Sequence, residues 1–365
     1  MARMNLLDPI ARDFSEAARP DLLQRQRESL PGDILRRHVA ANRNLAARAG
    51  ELGSLADALD RTPAASANPE VYPFLIAARF AGAGLADALI DKVRWHAGLA
   101  DELGAGLTPG YHRSARGPGV HRETSGRLEP VEGCWSEGPG GIRVYLPRPG
   151  LFRDLLGEDL YPDVPSSRSD ADLLGDVAEA FELVRRYDEA LHAELGRCFS
   201  VLVLTTDFGT VRSSFNLRLR YVGGLFLNPF HETPLGLAEG LVHEYYHQRL
   251  WHWWWHEPLA GLPGEDVQVT SPITGRRRPV PVMTHALVIY TALAEVLGTL
   301  AGRLEGDLGQ AAQARAIRLA GGIRPLGDAL RQAVPAGTRA AELLDLVSRL
   351  GAGAVPSVDA EGKLG

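Results

Sequence analysis

The stretch from Gly236 to Trp255, GLAEGLVHEYYHQRLWHWWW, constrains this chain more than any other. Within it, His243-Glu244-Tyr245-Tyr246-His247 reads H-E-x-x-H inside an apolar run that suits a helix. Residues four apart on an α-helix lie on one face, separated by about 40°. A helix here therefore sets two imidazoles side by side with Glu244 on the flank of the same face. Imidazoles placed that way can grip one metal ion. The fold must build such a helix and bring further ligands to it from elsewhere in the chain.

The segments just ahead predict a small sheet. Phe199 to Thr205 is a continuous β-prone run, the kind found in a buried strand. Leu217 to Tyr221 alternates apolar residues with Arg218 and Arg220, as a half-exposed strand does, and Val222 to Leu227 follows through Gly223-Gly224. Asn228-Pro229 ends that strand, and Thr233-Pro234 supplies an N-cap and a first-turn proline for the HExxH helix. Further upstream, Asp170 to Gly196 predicts one helix with Leu173, Val177, Phe181, Val184, Leu191 and Leu195 on a single stripe. Arg127 to Cys134 and Ile142 to Leu146 read as short strands around the turn Gly138-Pro139-Gly140-Gly141. That glycine cluster leads into a strand rather than a helix, so it is not a phosphate-binding loop.

The remainder reads as helix. Asp33 to Leu52 has helical spacing, Asn68-Pro69-Glu70 resembles a helix start, and Val71 to Leu103 repeats apolar residues at helix period. After Trp255 a polar loop runs through Ser271-Pro272 and Arg276-Arg277-Arg278 to Pro279. Helices are expected again from Val282 to Leu304 and from Leu308 to Gly351, with a disordered tail from Pro356 to Gly365. The expectation is a mainly α protein with a small central β-sheet, an α+β class, in which the metal helix follows the sheet. Four regions result: helices over 1–104, a catalytic region over 105–304, C-terminal helices over 305–355, and the tail over 356–365.

Composition narrows the function. The 365 residues carry a formal net charge of −6, which argues against nucleic acid or an anionic membrane surface as partner. Only two cysteines occur, Cys134 and Cys198, so a disulfide framework is excluded and a cysteine-based zinc site is not expected. The N-terminus lacks an apolar signal segment, and no uncharged apolar run reaches the roughly 18 residues of a membrane span. A soluble cytoplasmic protein is expected. His38 and His96 fit helix patterns as structural residues, and His112 and His121 are expected on surface loops.

A catalytic metal needs a third protein ligand and an open position. Candidates are His252, His256, Glu257, Glu265, Asp266, His285 and Glu295. On a continuing helix His252 lies about 180° and His256 about 220° from His243, so both point away. The extended pattern HExxHxxGxxH fails, because Leu250 and Trp253 stand at its glycine and third histidine. Glu295 would suit a zinc peptidase of the gluzincin type, with Glu244 as general base. His285 instead closely follows Arg278-Pro279, and an arginine beside three histidines could hold a carboxylate co-substrate through a bidentate pair.

The arrangement Gly223-Gly224-Leu225-Phe226, Leu241-Val242-His243-Glu244-Tyr245-Tyr246-His247, Ser271-Pro272, Arg278-Pro279 and His285-Ala286 resembles the HExxH-motif peptide-modification proteins. The resemblance covers roughly residues 199–300. It implies a non-haem Fe(II)- and 2-oxoglutarate-dependent oxygenase that hydroxylates the β-carbon of a residue in a ribosomally made precursor peptide. By the same resemblance His243, His247 and His285 occupy the metal-ligand positions. Arg278 occupies the Arg-Pro position assigned to the 2-oxoglutarate carboxylate. Glu244 has no base to supply in that chemistry and is expected to orient a ligand or substrate. One position departs, since Ile273 stands where the family often has an aromatic residue after Ser-Pro. Two other readings remain, a zinc metallopeptidase and a scaffold that binds a precursor peptide without chemistry.

Overall fold

The computed structural model describes residues 31–61, 90, 93–94, 110–114, 117–124, 127–130, 135–148, 168–199, 201–204, 224–228, 233–256, 261–264 and 266–354. Over these the protein is mainly helical with small sheets, an α+β architecture in which a long helix follows the four-stranded sheet. Two compact units divide it. The first takes its described residues from 31–179 and 193–240, the second from 180–192 and 241–354.

The first unit begins with α1 (Pro31–Ala41) and α2 (Ala49–Asp60), joined by a 3-10 turn over Arg43–Arg48. A single helix over Asp33 to Leu52 was the expectation, and the chain turns instead at buried Asn42. The Asn42 N–H donates to Val39 O at 3.1 Å, and its carbonyl accepts from Leu45 N at 3.1 Å. The turn lets Arg36, which also meets Asp33 of its own helix at 2.6 Å, reach Asp57 at 2.7 Å and Asp60 at 2.6 Å on α2, a cross-helix pairing that a straight helix forbids.

Three strands, β1 (Gly110–Ser114), β2 (Gly117–Thr124) and β3 (Arg127–Pro130), form an antiparallel sheet of their own. His112 and His121 therefore lie on β1 and β2, not on loops. Arg127–Pro130 belongs to this sheet rather than to the hairpin around Gly138–Gly141. That hairpin pairs β4 (Trp135–Glu137) with β5 (Arg143–Tyr145), and Gly140 and Gly141 take φ values of 68° and 77° to make the turn. From β5 the chain crosses through α3 (Asp170–Tyr187) and α4 (Glu189–Cys198) to β6 (Val201–Leu204), which pairs in parallel with β5. The expected single helix over Asp170 to Gly196 is two, because the Asp188 carboxylate accepts from Ala190 N at 2.7 Å and Leu191 N at 3.0 Å. Those bonds cap a new helix start. The last strand, β7 (Gly224–Leu227), pairs in parallel with β6 and completes the order β4-β5-β6-β7. Parallel strands covered on both faces lose alternation, so Val201, Leu202, Val203 and Leu204 are all buried.

The HExxH segment forms α5 (Pro234–His256), which runs from the first unit into the second. Thr233 caps it as expected, its hydroxyl accepting from Gly236 N at 3.4 Å and its carbonyl from Leu237 N at 2.9 Å. Gly240 packs against β7 so closely that a Cβ there would stand 2.9 Å from Leu227 Cδ2.

In the second unit the segment expected to be a loop is a hairpin of β8 (Gln268–Thr270) and β9 (Arg277–Pro279). Ser271 N donates to Arg276 O at 2.9 Å, and Gly275, at φ 68°, donates to Ser271 O at 2.8 Å. Pro279 faces Gln268 where the ladder needs no N–H, and Val280 N then donates to Val267 O at 2.9 Å. The next helix, α6 (Val280–Ala301), therefore starts two residues earlier than its apolar pattern suggested. Its most apolar window is 72% buried, the mark of a helix at the centre of a core. Helices α7 (Gly306–Ala333) and α8 (Arg339–Ala354) pack on it, so the C-terminal helices share a unit with the HExxH half of α5. The hairpin tip is seated on α7, where a Cβ at Gly322 would fall 2.3 Å from Ile273 Cγ1.

The expected helix over Val71 to Leu103 with its Asn68-Pro69-Glu70 start, the strand over Leu217 to Tyr221 and the tail over Pro356 to Gly365 fall wholly or almost wholly outside the described residues.

Candidate metal centre

Three imidazoles meet in the second unit. The i, i+4 spacing on α5 sets His243 Nε2 3.0 Å from His247 Nε2, with ring centroids 4.7 Å apart. His285, in the second turn of α6, stacks on the other side of His247 at 5.1 Å between centroids, with Nδ1 3.0 Å from His247 Nδ1. His247 is thus the middle ring of a row and presents one nitrogen to each neighbour. Adjacent ligands at about 2.1 Å from one ion, with perpendicular bonds, sit roughly 3 Å apart. The separation of the His243 and His247 Nε2 atoms matches that value.

Desolvation is the first cause of the acid–base state of all three rings. It pushes His243 down to about 4 and His285 to about 3, and holds His247 well below the ordinary histidine range. Proximity of the rings adds to this for His247 and His285. Neutral imidazole is the form that ligates a metal, so at neutral pH no proton must leave before binding. The site is not sealed, since the His243 side chain keeps 26% of its surface accessible. A catalytic ion needs such an opening for water or substrate.

Glu244 is buried on the same face, with Oε1 3.9 Å from His243 Nε2. That is too long for a hydrogen bond. It is still close enough that ligand atoms of His243, Glu244 and His247 all lie within 4.8 Å of one another. Tyr245 and Tyr246 are buried beside them, edge to face at 5.3 Å, and leave the HExxH turn little freedom.

The remaining candidates are distributed as follows. Glu295 is ten residues along α6 from His285, about 15 Å at the helical rise. Its carboxylate accepts from the Tyr187 hydroxyl at 3.3 Å. His252 and His256 lie on α5 with side chains outside the described residues, as are Glu257 and Glu265. Asp266 is exposed ahead of β8. Arg278 is exposed on β9, and its guanidinium makes no ion pair among the described residues. The anchoring of the Ser271-Pro272 turn is not legible in the sequence, because its partners Tyr290 and Gly322 are distant along the chain. Ser271 is buried, its hydroxyl accepts from Thr274 N at 3.2 Å, and it hydrogen-bonds Tyr290 of α6. The Ser271-Pro272 pair inside an arginine-rich loop was the available signal.

No known family profile matches this chain, and no curated protein matches it as a relative.

Proposed function

We propose that the protein is a non-haem Fe(II)- and 2-oxoglutarate-dependent oxygenase that hydroxylates a side-chain β-carbon in a ribosomally made precursor peptide. One observation carries the reading. The α6 residue that stands against the HExxH pair is His285, its Nδ1 3.0 Å from His247 Nδ1 on the side of that ring away from His243, while Glu295 is engaged by Tyr187. A downstream glutamate at the metal is what a gluzincin-type peptidase requires.

In this reading His243, His247 and His285 hold the ion in neutral form. A set of imidazoles suits Fe(II), although the same donors also accept zinc. Arg278, exposed and without an ion pair among the described residues, holds the carboxylate of 2-oxoglutarate through its planar fork. Bound Fe(II), with 2-oxoglutarate and dioxygen, supplies an oxidant strong enough to hydroxylate an unactivated carbon, the co-substrate leaving as succinate and carbon dioxide. The protein's own part is to keep the rings unprotonated, to fix them between two buried helices, and to leave the His243 edge open for the peptide. Buried Glu244 orients its neighbours from within that wall.

The test is reconstitution with Fe(II), 2-oxoglutarate, air and the cognate precursor peptide. Succinate and a peptide heavier by one oxygen atom are expected. Absence of 2-oxoglutarate turnover in the complete mixture refutes the reading. The zinc peptidase reading keeps one supporting observation, the carboxylate of Glu244 within 4.8 Å of both motif histidines. It requires peptide cleavage that Glu244→Gln abolishes.

A further inference from the structure

We propose that the β8–β9 hairpin is a docking arm for an acidic, partly apolar segment of the peptide substrate, held by Arg276 and Arg277. The inference rests on the reading of the protein as a peptide-modifying enzyme and names the chemistry of the segment it captures.

Arg276, Arg277 and Arg278 are consecutive, all exposed, and none forms an ion pair among the described residues. Elsewhere Arg36, Arg148, Arg168, Arg185, Arg331 and Arg339 each meet a carboxylate. In a chain with net charge −6, three adjacent cations without an ion pair among the described residues form a local field of the opposite sign. Arg318 of α7 adds a fourth exposed guanidinium. It lies one turn before Gly322, where the hairpin tip is seated, and close enough to Tyr290 to act on its hydroxyl.

A solvated charge run on a floppy loop would carry no such meaning, but this hairpin is fixed at three points. Ser271 is buried, Ile273 packs on Gly322, and the ladder continues into Val280 of α6. The arginines thus project from a rigid base that leads directly into the helix carrying His285. Apolar surface occurs on the same elements. Four large hydrophobic residues are exposed among the described residues, and three of them, Val267, Val282 and Ile317, sit at the hairpin base, at the start of α6 and beside Arg318. Mixed apolar and cationic surface matches a peptide that alternates acidic and apolar residues better than a uniform polyanion.

Backbone geometry supplies the binding mode. Ser271 bonds Arg276 and Val267 bonds Val280, so the intervening Thr270–Arg277 pair is a non-hydrogen-bonded one. The N–H and C=O of Arg277 therefore point away from β8, along an edge that no described strand covers. An extended peptide can add there as a third strand, with its carboxylates on the guanidinium groups. Nucleic acid and anionic bilayers present charge over a far larger area and meet the net negative charge of the rest of the chain.

The experiment uses the full chain and a fluorescent synthetic peptide alternating glutamate with leucine, read by anisotropy. Binding that weakens as salt rises is expected, and the double variant R276Q/R277Q should lower affinity about tenfold, the scale of two exposed ion pairs plus lost edge order. R349Q, which removes an exposed cation on α8, should leave affinity unchanged, and melting temperature should not move in either variant. A lysine-for-glutamate version of the peptide should not bind. The proposal is overturned by equal binding in R276Q/R277Q, by an equal loss in R349Q, by no binding at about 1 mM peptide, or by preference for single-stranded DNA or phosphatidylglycerol vesicles. If docking follows these arginines but no 2-oxoglutarate is consumed with Fe(II), the oxygenase reading fails alone. If 2-oxoglutarate is consumed and docking ignores them, this inference fails alone.

Discussion

Exchanging Glu295 for glutamine, in parallel with His285 for alanine, tests which residue of α6 would serve a metal held at the proposed centre. The two positions are ten residues apart on an unbroken helix, about 15 Å, whereas a metal–ligand bond spans about 2.0–2.2 Å. His285 lies within 3.0 Å of His247, so Glu295 lies many bond lengths away. In Glu295→Gln the amide oxygen can still accept from the Tyr187 hydroxyl, now 3.3 Å from the carboxylate. The stability loss should stay below about 1 kcal/mol, and metal affinity should change by less than about twofold. His285→Ala removes a ring that touches His247. Losing a group that binds or orients a ligand weakens metal binding by at least about tenfold, or 1.4 kcal/mol. Competition of Co(II) against a chromophoric chelator measures both variants. Melting with and without saturating metal checks them independently, because an ion at 100 times its Kd stabilises the native state by about 2.7 kcal/mol. A tenfold loss in Glu295→Gln, with His285→Ala near wild type, would falsify the assignment of His285 and restore the gluzincin-type site.

Two further outcomes follow from local geometry. Gly261 has φ +91°, and a Cβ there would fall 2.3 Å from Thr338 Cβ, whose hydroxyl accepts from Ala341 N at the start of α8. Gly261→Ala should cost about 2–3 kcal/mol through backbone strain and a disturbed cap, and a loss below 0.5 kcal/mol (roughly the scatter of surface changes) in urea melts would contradict this. In chelator-stripped protein the lowered histidine values set an acid limit. Above about pH 6.5 the rings are neutral in both folded and unfolded chains. As pH falls below that, the unfolded chain takes up protons that the native rings refuse until about pH 4 for His243 and about pH 3 for His285. Stability should therefore drop by up to about 1.4 kcal/mol per pH unit per ring across that window, and His243→Ala should flatten the slope. Equal urea stability at pH 7 and pH 5 would count against neutral buried rings.

What could be read from the chain and what could not divide along the range of the interactions responsible. The α5 helix, its Thr233 cap and the adjacency of His243 and His247 depend on residues within four positions of one another, and the Thr233-Pro234 start and the i, i+4 spacing report them directly. The buried strand β6 announces itself because all four of its residues are apolar. The breaks at Asn42 and Asp188 were hidden, since apolar spacing continues across both and only a single polar side chain or turn interrupts the helix. The β8–β9 hairpin was hidden for a different reason. Three-residue strands are too short to show alternation, and their register is set by Ser271, Gly275 and the seat on Gly322.

The third histidine is the sharpest case. His285 and Glu295 are both polar residues on one apolar helix, and no local pattern ranks them as partners of α5. Their ranking is decided by how far α6 slides along α5, a quantity fixed by side-chain packing and by where α6 begins. The ladder bond from Val280 N to Val267 O sets that beginning and so places His285 in the second turn. The hairpin that carries the three arginines is therefore also the element that positions the third ring. Disrupting its register, by Gly275→Val at φ 68°, should weaken metal binding and peptide docking together, whereas R276Q/R277Q should weaken docking alone. Metal titration and peptide anisotropy on the same two variants measure that separation. Unchanged metal affinity in Gly275→Val would sever the link between hairpin and metal centre.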